Sequence, residues 1–300
     1  MEKSLLSLLP KIQKDYNQLL MCFVMKNLLK ALTLLTTLVL FLPAQAQRVD
    51  TISVYSPSMG REIRNVIILP ENYGKNPNES YPVLYLLHGY SGRHDSWIKL
   101  KPELPQIVSR YGIIIVCPNG ENSWYWDSPR NPKSKFETFV SSELVKYIDK
   151  NYKTKANIQG RAITGLSMGG HGGLWLGIRH QDIFGACGSM SGGVDIRPFP
   201  DNWEMKTQLG EYAENKQVWE EHTVIGQLNK IKPGKLAIIF DCGTADFFYE
   251  VNKSLHEQML YLNIPHDYIE RPGVHDGKYW NNAIDYQLMF FAKFFGAARK

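Results

Sequence analysis

The sequence predicts an α/β fold, with a doubly wound and mostly parallel sheet, an antiparallel hairpin at its start and helices on both faces. Three observations lead there. Six short runs between residues 82 and 269 are almost wholly apolar, the pattern of strands covered on both faces. Segments with apolar residues three and four apart lie between some of them, as amphipathic helices require. Two β-rich stretches near the start are separated by only five turn-forming residues, which reads as a hairpin. Strands alternating with helices after such a start fit a doubly wound sheet with crossover connections.

In chain order, residues 50–55 and 62–69 are the hairpin strands, joined through Ser56-Pro57-Ser58-Met59-Gly60 and placed at the sheet edge. Residues 82–87 form a strand ending at His88-Gly89, and residues 112–117 another ending at Pro118-Asn119-Gly120. Phe136, Val140, Leu144, Tyr147 and Ile148 share one helical face. Residues 161–164, 184–188, 236–240 and 266–269 supply four further strands, and residues 251–262 and 280–295 two further helices. The polar stretch at about 193–233, with Trp203 and Trp219, breaks the alternation. It is too short for a core of its own and is expected to be an insertion over the sheet.

Composition narrows the class. The chain has 300 residues, 44% hydrophobic and 12% aromatic, which excludes a disordered chain. The net charge is +5, and residues 1–46 hold five lysines against two acidic side chains. That leaves 29 basic and 27 acidic side chains from residue 47 onward, with no Lys/Arg run of the kind that binds nucleic acid. Cys117, Cys187 and Cys242 end apolar runs and read as small buried hydrophobes. There is no Cys-x-x-Cys or His-Glu-x-x-His pattern, so neither a metal nor a cofactor is expected.

The N-terminus reads as an address. From Met25 come Lys26 and Lys30, an apolar run over residues 31–42, and Pro43-Ala44-Gln45-Ala46. These are the n-region, h-region and small-x-small site of a secretory signal peptide. The run is short of the ~20 residues of a spanning helix, and no Cys follows the site to carry a lipid. Translation from Met25, cleavage after Ala46 and one domain over 47–300 are expected, with a periplasmic or secreted product. Oligomeric state is not legible.

The chemistry is concentrated in Gly165-Leu166-Ser167-Met168-Gly169-Gly170, which follows an apolar strand and precedes a helical pattern. A nucleophile on a sharp strand-to-helix turn presents its hydroxyl to a cleft, and the tight turn requires glycines on either side of it. A serine alone is a weak nucleophile, so an acid and a histidine are sought downstream, in that order. Asp241 and Asp246 compete for the acid. Asp246 is favoured because it lies beyond the strand end, where catalytic groups collect, whereas Asp241 reads as a satisfied structural carboxylate. Of eight histidines, His275 follows the last strand and precedes the last helix, the position a base needs, while His88 and His171 read as structural. An oxyanion hole would use the backbone N–H groups of Met168 and Tyr90. Trp124, Tyr125, Trp126 and Asp127 follow a strand and are expected at the cleft mouth, where they would bind substrate; covering the sheet edge is the alternative.

Together these segments resemble the esterase D-like group of α/β-hydrolases. The group includes S-formylglutathione hydrolases, short-chain acyl esterases, and the feruloyl and acetylxylan esterases of carbohydrate esterase family one. The resemblance runs from about Tyr55 to Phe295. It rests on Tyr85-Leu86-Leu87-His88-Gly89, on Ser123-Trp124-Tyr125-Trp126-Asp127-Ser128-Pro129, on the serine motif, on Asp241-Cys242-Gly243-Thr244-Ala245-Asp246, and on Pro272-Gly273-Val274-His275. It implies a triad of Ser167, Asp246 and His275. Ala245 and Gly277 depart from many relatives at positions outside that triad. An exported carboxylesterase acting on feruloyl or acetyl esters of plant polysaccharide is then the expectation. A general short-chain carboxylesterase, an acyltransferase with a sugar hydroxyl as acceptor, and a non-catalytic glycan-binding protein are the alternatives.

Overall fold

The computed structural model describes residues 13, 14, 16–30 and 48–296. The apolar run over 31–42 and the cleavage site after Ala46 lie outside the described residues. The chain divides into two units, Met1–Ala46 and Gln47–Lys300. In the first, residues 16–30 are helical, with Leu19, Leu20 and Phe23 exposed. Among the described residues no helix is long and apolar enough to cross a membrane.

The second unit is built on one eight-stranded sheet in the order β1-β2-β4-β3-β5-β6-β7-β8. Strands β1 (Arg48–Ser56) and β2 (Arg61–Leu69) pair antiparallel from Arg48 opposite Leu69 to Ser56 opposite Arg61. β2 is also antiparallel to β4 (Ile114–Pro118). It is therefore an interior strand and not an edge, and its run Val66–Leu69 is wholly buried. β3 (Val83–Leu87), β4, β5 (Arg161–Gly165), β6 (Ala186–Met190), β7 (Ala237–Gly243) and β8 (Asp267–Arg271) are parallel. The expected fold class holds. β7 continues past the apolar run, so Asp241 and Cys242 lie inside the strand.

Side chains alternate between two cores, as strand geometry demands. Val83, Tyr85 and Leu87 of β3 face one layer, and Leu84 and Leu86 the other. The first layer receives Leu174, Leu176 and Ile178 of α1 (Met168–Arg179), and Leu255 and Met259 of α2 (Tyr249–Tyr261). The second receives Ile284, Leu288 and Phe291 of α3 (Gly277–Phe294). A further helix, Leu104–Tyr111, buries Leu104 and Val108 on that side and is absent from the sequence reading. It carries proline in its first turn and stops at Gly112, whose φ of 60° only glycine adopts freely. From the 193–233 stretch, Met205, Leu209, Trp219, Val224 and Leu228 join the first core. Cys117, Cys187 and Cys242 are free and buried.

α1 lies unusually close to the sheet. A Cβ on Gly173 would stand 2.3 Å from the carbonyl oxygen of Gly188 and 3.0 Å from Cα of Thr164, both backbone atoms that cannot swing aside. Gly173→Ala is therefore expected to destabilise the protein by roughly 3 kcal/mol, the upper part of the overpacking range. The urea midpoint reads that loss directly, and a midpoint equal to wild type would contradict this packing.

Candidate active site

β5 ends at Gly165, and two residues later Ser167 turns the chain into α1 with φ 56° and ψ −119°. A side chain at positive φ in this region costs on the order of 1–3 kcal/mol. The turn is held by backbone bonds on both sides: the Ser167 N–H donates to Met190 O (2.9 Å), and the His171 N–H donates to Ser167 O (3.0 Å). The flanking glycines are forced by contact. A Cβ on Gly165 would lie 2.5 Å from Gly169 O, and one on Gly169 would lie 2.5 Å from Leu87 O. The elbow thus exists because the carboxyl end of β3 and the first turn of α1 touch through bare backbone.

Two loops bring partners to the Ser167 hydroxyl. Asp246 follows β7, and His275 follows β8. The loops are joined where the Thr244 N–H donates to Arg271 O and the Ala245 N–H to Gly273 O, each at 2.9 Å. His275 Nδ1–H donates to both Asp246 oxygens, at 2.8 and 3.0 Å, which leaves Nε2 to accept from Ser167 Oγ at 2.8 Å. The Asp246 side chain is fully buried, and its Oδ1 also accepts from the Phe248 N–H at 2.8 Å. The His275 ring is confined by Phe247, whose ring centre is 4.2 Å away, and by the edge of Trp280 at 4.8 Å. A serine hydroxyl in this setting can pass its proton to Nε2, while the carboxylate fixes the tautomer and faces the imidazolium that forms.

Asp241 has a different office. Its oxygens accept from Tyr279 OH (2.9 Å), Gln287 Nε2 (2.9 Å) and an Arg271 N–H (3.2 Å). Burial raises its pKa to about 6, against the pull of Gln287, Arg271 and Tyr279. It ties β7 to β8 and α3, and no hydrogen bond joins it to His275. Of the two carboxylates weighed from the sequence, the structure brings Asp246 to the histidine.

The oxyanion-loop residues also converge. A Cβ on Gly89 would sit 3.3 Å from Ser167 Cβ, so the chain entering Tyr90 runs directly beside the serine. Met168 opens α1. Among the described residues the backbone N–H groups of Tyr90 and Met168 meet no backbone acceptor, in contrast to that of Gly169, which donates to Leu166 O at 2.7 Å. Two donors of this kind beside a nucleophile are what a developing oxyanion needs.

The comparisons with known proteins fit this geometry. A sequence profile for the family described as "Putative esterase" matches residues 56–291. The chain belongs to this esterase family. It is a carboxylic ester hydrolase with the α/β-hydrolase fold. An acetyl esterase of Caldicellulosiruptor saccharolyticus is 26% identical over 251 residues, spanning 78% of this chain and 94% of that protein. A diacylglycerol acyltransferase/mycolyltransferase of Mycobacterium leprae is 38% identical over 156 residues, spanning 49% of this chain and 44% of that protein. The solved structure of a ferulic acid esterase superposes with a TM-score of 0.73 at 28% identity, covering 83% of this chain and 98% of that one.

The aromatic segment of the esterase lies elsewhere than the sequence suggests. Trp124, Tyr125 and Trp126 are all within 1% of complete burial and do not line an open mouth. Trp124 and Tyr125 take left-handed φ values of 58° and 60°, which fold the segment back under the cleft. There Tyr125 OH donates to His88 O at 3.0 Å, and Trp126 Nε1–H donates to His171 Nε2 at 2.8 Å. Asp127 accepts from the Thr138 N–H and hydroxyl, anchoring the helical stretch from Phe136. The three aromatics are therefore supports and not surfaces offered to a ligand, whereas Asp127 is half-buried and lines a neighbouring cleft. His88 and His171, held neutral by burial with pKa values lowered to about 4 and about 3, belong to the same scaffold.

The residues at the mouth are others. Trp203, from the 193–233 stretch, is half-buried and stacks on the exposed Phe247 at 5.7 Å, and Glu204 Oε2 accepts from Tyr90 OH at 2.9 Å. Trp203 stood out in the sequence as an aromatic in a polar insertion, whereas Phe247 was not singled out. Nothing in the sequence indicated that they meet.

Because the folded-state pKa of Asp241 lies above the ordinary 3.8, the folded protein keeps this proton where the unfolded chain has released it. The stability involved is whole below pH 4 and is lost as pH rises through 6, on the order of 3 kcal/mol. The urea midpoint of wild type should therefore fall relative to that of Asp241→Asn as pH rises from 4 to 7, because only the wild type loses this stability. Parallel curves would contradict an Asp241 that titrates in this range.

Proposed function

We propose that this esterase is exported and removes feruloyl or acetyl groups from plant polysaccharide through a triad of Ser167, His275 and Asp246. The observation that carries the reading is the unbroken hydrogen-bond chain from Asp246 through His275 to a serine on a strained elbow. Ser167 Oγ attacks the ester carbonyl carbon as its proton passes to His275 Nε2. The carbonyl oxygen, now an anion, is held by the Tyr90 and Met168 N–H groups. Collapse breaks the bond to the alcohol oxygen, which takes the proton from His275. Water then loses a proton to His275, attacks the acyl carbon and releases the acid, and the proton returns to Ser167 Oγ. Similarity to a ferulic acid esterase and to an acetyl esterase supports the acyl groups named. The leader of residues 1–46, with its start at Met25 and its cleavage after Ala46, supports export, and residues 47–300 then form one esterase domain carrying the insertion at about 193–233.

Transfer of the acyl group to a sugar hydroxyl is the second reading, favoured by the similarity to a mycolyltransferase over half the chain. Adding an acceptor sugar during turnover separates the two, since acylated sugar would then accumulate at the expense of free acid.

Ser167→Ala and His275→Ala are each expected to lower kcat on methyl ferulate or an acetylated xylo-oligosaccharide at least about a thousandfold, and Asp246→Asn by a comparable factor. Activity surviving in Ser167→Ala would overturn the nucleophile. Expressed with its leader in a bacterial host, the exported protein should begin at Gln47 by N-terminal sequencing. A product retained in the cytoplasm with residues 25–46 attached would overturn export.

A further inference from the structure

His88 follows β3 and is 1% exposed, with both ring nitrogens engaged. The Gly120 N–H donates to Nε2 at 2.8 Å. A backbone N–H can only donate, so Nε2 holds the lone pair and Nδ1 holds the proton. Nδ1–H then donates to Gly89 O at 2.7 Å. Burial lowers the His88 pKa to about 4, against the pull of the Gly89 carbonyl, so the ring keeps this one neutral tautomer at neutral pH.

The Gly89 carbonyl is one half of a peptide unit whose other half is the Tyr90 N–H. Among the described residues no peptide bond is cis, so the C=O and N–H of this unit point in opposite directions. Gly89 O is held on one side by His88 Nδ1–H and by the Gly92 N–H at 3.0 Å. The Tyr90 N–H is thereby turned to the other side, on a stretch of chain that passes directly beside Ser167.

Glycines make such a restraint necessary. A Cβ on Gly89 would lie 2.6 Å from Leu166 Cδ1, and one on Gly92 would lie 2.8 Å from His88 Nδ1. Both positions must be bare, and a peptide next to glycine rotates with little steric resistance. Half a turn would aim Gly89 O, in place of the Tyr90 N–H, at the oxygen of a tetrahedral intermediate. The far side of the loop is pinned separately, where Ser91, at φ 61°, donates its N–H to Asn122 Oδ1 at 2.9 Å.

We infer that His88 is a positioning residue for ester hydrolysis, whose Nδ1–H fixes the Gly89–Tyr90 peptide so that the Tyr90 N–H is preset for the oxyanion. The inference rests on the reading of Ser167 as nucleophile and of the Tyr90 N–H as oxyanion donor.

Two conservative variants separate positioning from packing. His88→Asn keeps an N–H donor near the place of Nδ1 and loses the acceptor for Gly120, whereas His88→Gln keeps an acceptor near Nε2 and loses the donor for Gly89 O. Each gives up one buried hydrogen bond, so a purely structural role predicts similar losses in both. On a short aliphatic acetate ester, His88→Gln is expected to lower kcat about a hundredfold with KM little changed, and His88→Asn to stay within about fivefold of wild type. A trifluoromethyl ketone adds to the serine as a tetrahedral alkoxide, and its affinity should fall in His88→Gln by the same factor as kcat. Equal losses in the two variants, or wild-type kcat in His88→Gln, would overturn the inference. Nitrogen NMR of wild-type protein with isotopically labelled histidine depends on no variant folding. It should find the His88 proton on Nδ1 at neutral pH, and a proton on Nε2 would be equally fatal. Failure of the esterase reading shows elsewhere, as hydrolysis that persists in Ser167→Ala.

Discussion

The close approach of the β3 carboxyl end to the first turn of α1 is the constraint on which the rest of the structure depends. Leu87 O and His88 O occupy the space that a side chain at residue 169 would need, and Gly169 O occupies the space for one at residue 165. With both positions bare, the chain can reverse within one residue, and Ser167 is driven to φ 56°. Strain of this kind persists only where the surroundings over-determine it. Here they do so through backbone bonds to Met190 and His171 and through the flat packing of a glycine-rich helix on β5 and β6. Because β5, β7 and β8 are parallel, their carboxyl ends lie on one edge of the sheet. Residues 108 apart in the chain, Ser167 and His275, can therefore meet with no movement of the core.

Residues of the same type are separated by what surrounds them. Asp241 and Asp246 lie five residues apart and are both buried. The first spends its oxygens on Tyr279, Gln287 and Arg271, so it stabilises the joint between β7, β8 and α3. The second accepts from one backbone N–H and otherwise faces His275. The histidines divide in the same way. His88 donates from Nδ1 to Gly89 O and accepts at Nε2 from the Gly120 N–H; His171 does the same between Gly193 O and Trp126. Both rings are saturated and neutral. His275 keeps one nitrogen for an exchangeable proton, beside a hydroxyl that can supply it.

This explains which parts of the molecule were legible in the sequence. Strands buried on both faces announce themselves as apolar runs, and the order of serine, acid and histidine along such strands narrows the site to a few residues. Helix Leu104–Tyr111 was not legible because eight residues hold barely two turns, and only Leu104, Pro105 and Val108 are buried. The end of β7 was misplaced because a carboxylate inside a strand reads as a boundary until its three partners, two of them from α3, are in view. Tryptophans after a strand read as cleft lining because their direction depends on two left-handed residues, Trp124 and Tyr125, that no side-chain pattern encodes. The family resemblance pointed to Ser167, Asp246 and His275, which the fold brings within hydrogen-bond reach of one another, but it did not point to the mouth.

The mouth follows from that same left-handed pair. With Trp124 turned inward, its ring lies 5.9 Å from Trp203, which stacks on Phe247, which in turn covers His275 at 4.2 Å. Trp203 and Glu204 are themselves both left-handed, at 50° and 51°, and two such residues in succession are stable only when packing holds them. A row of rings thus runs from the core to His275, and Trp203 joins it from the insertion. Glu204 extends the same turn to the oxyanion loop. Changes in the insertion can therefore reshape both sides of the entrance while the sheet keeps Ser167, Asp246 and His275 in place. The Trp203–Glu204 turn is thus where the insertion meets both the loop after β3 and the loop after β7.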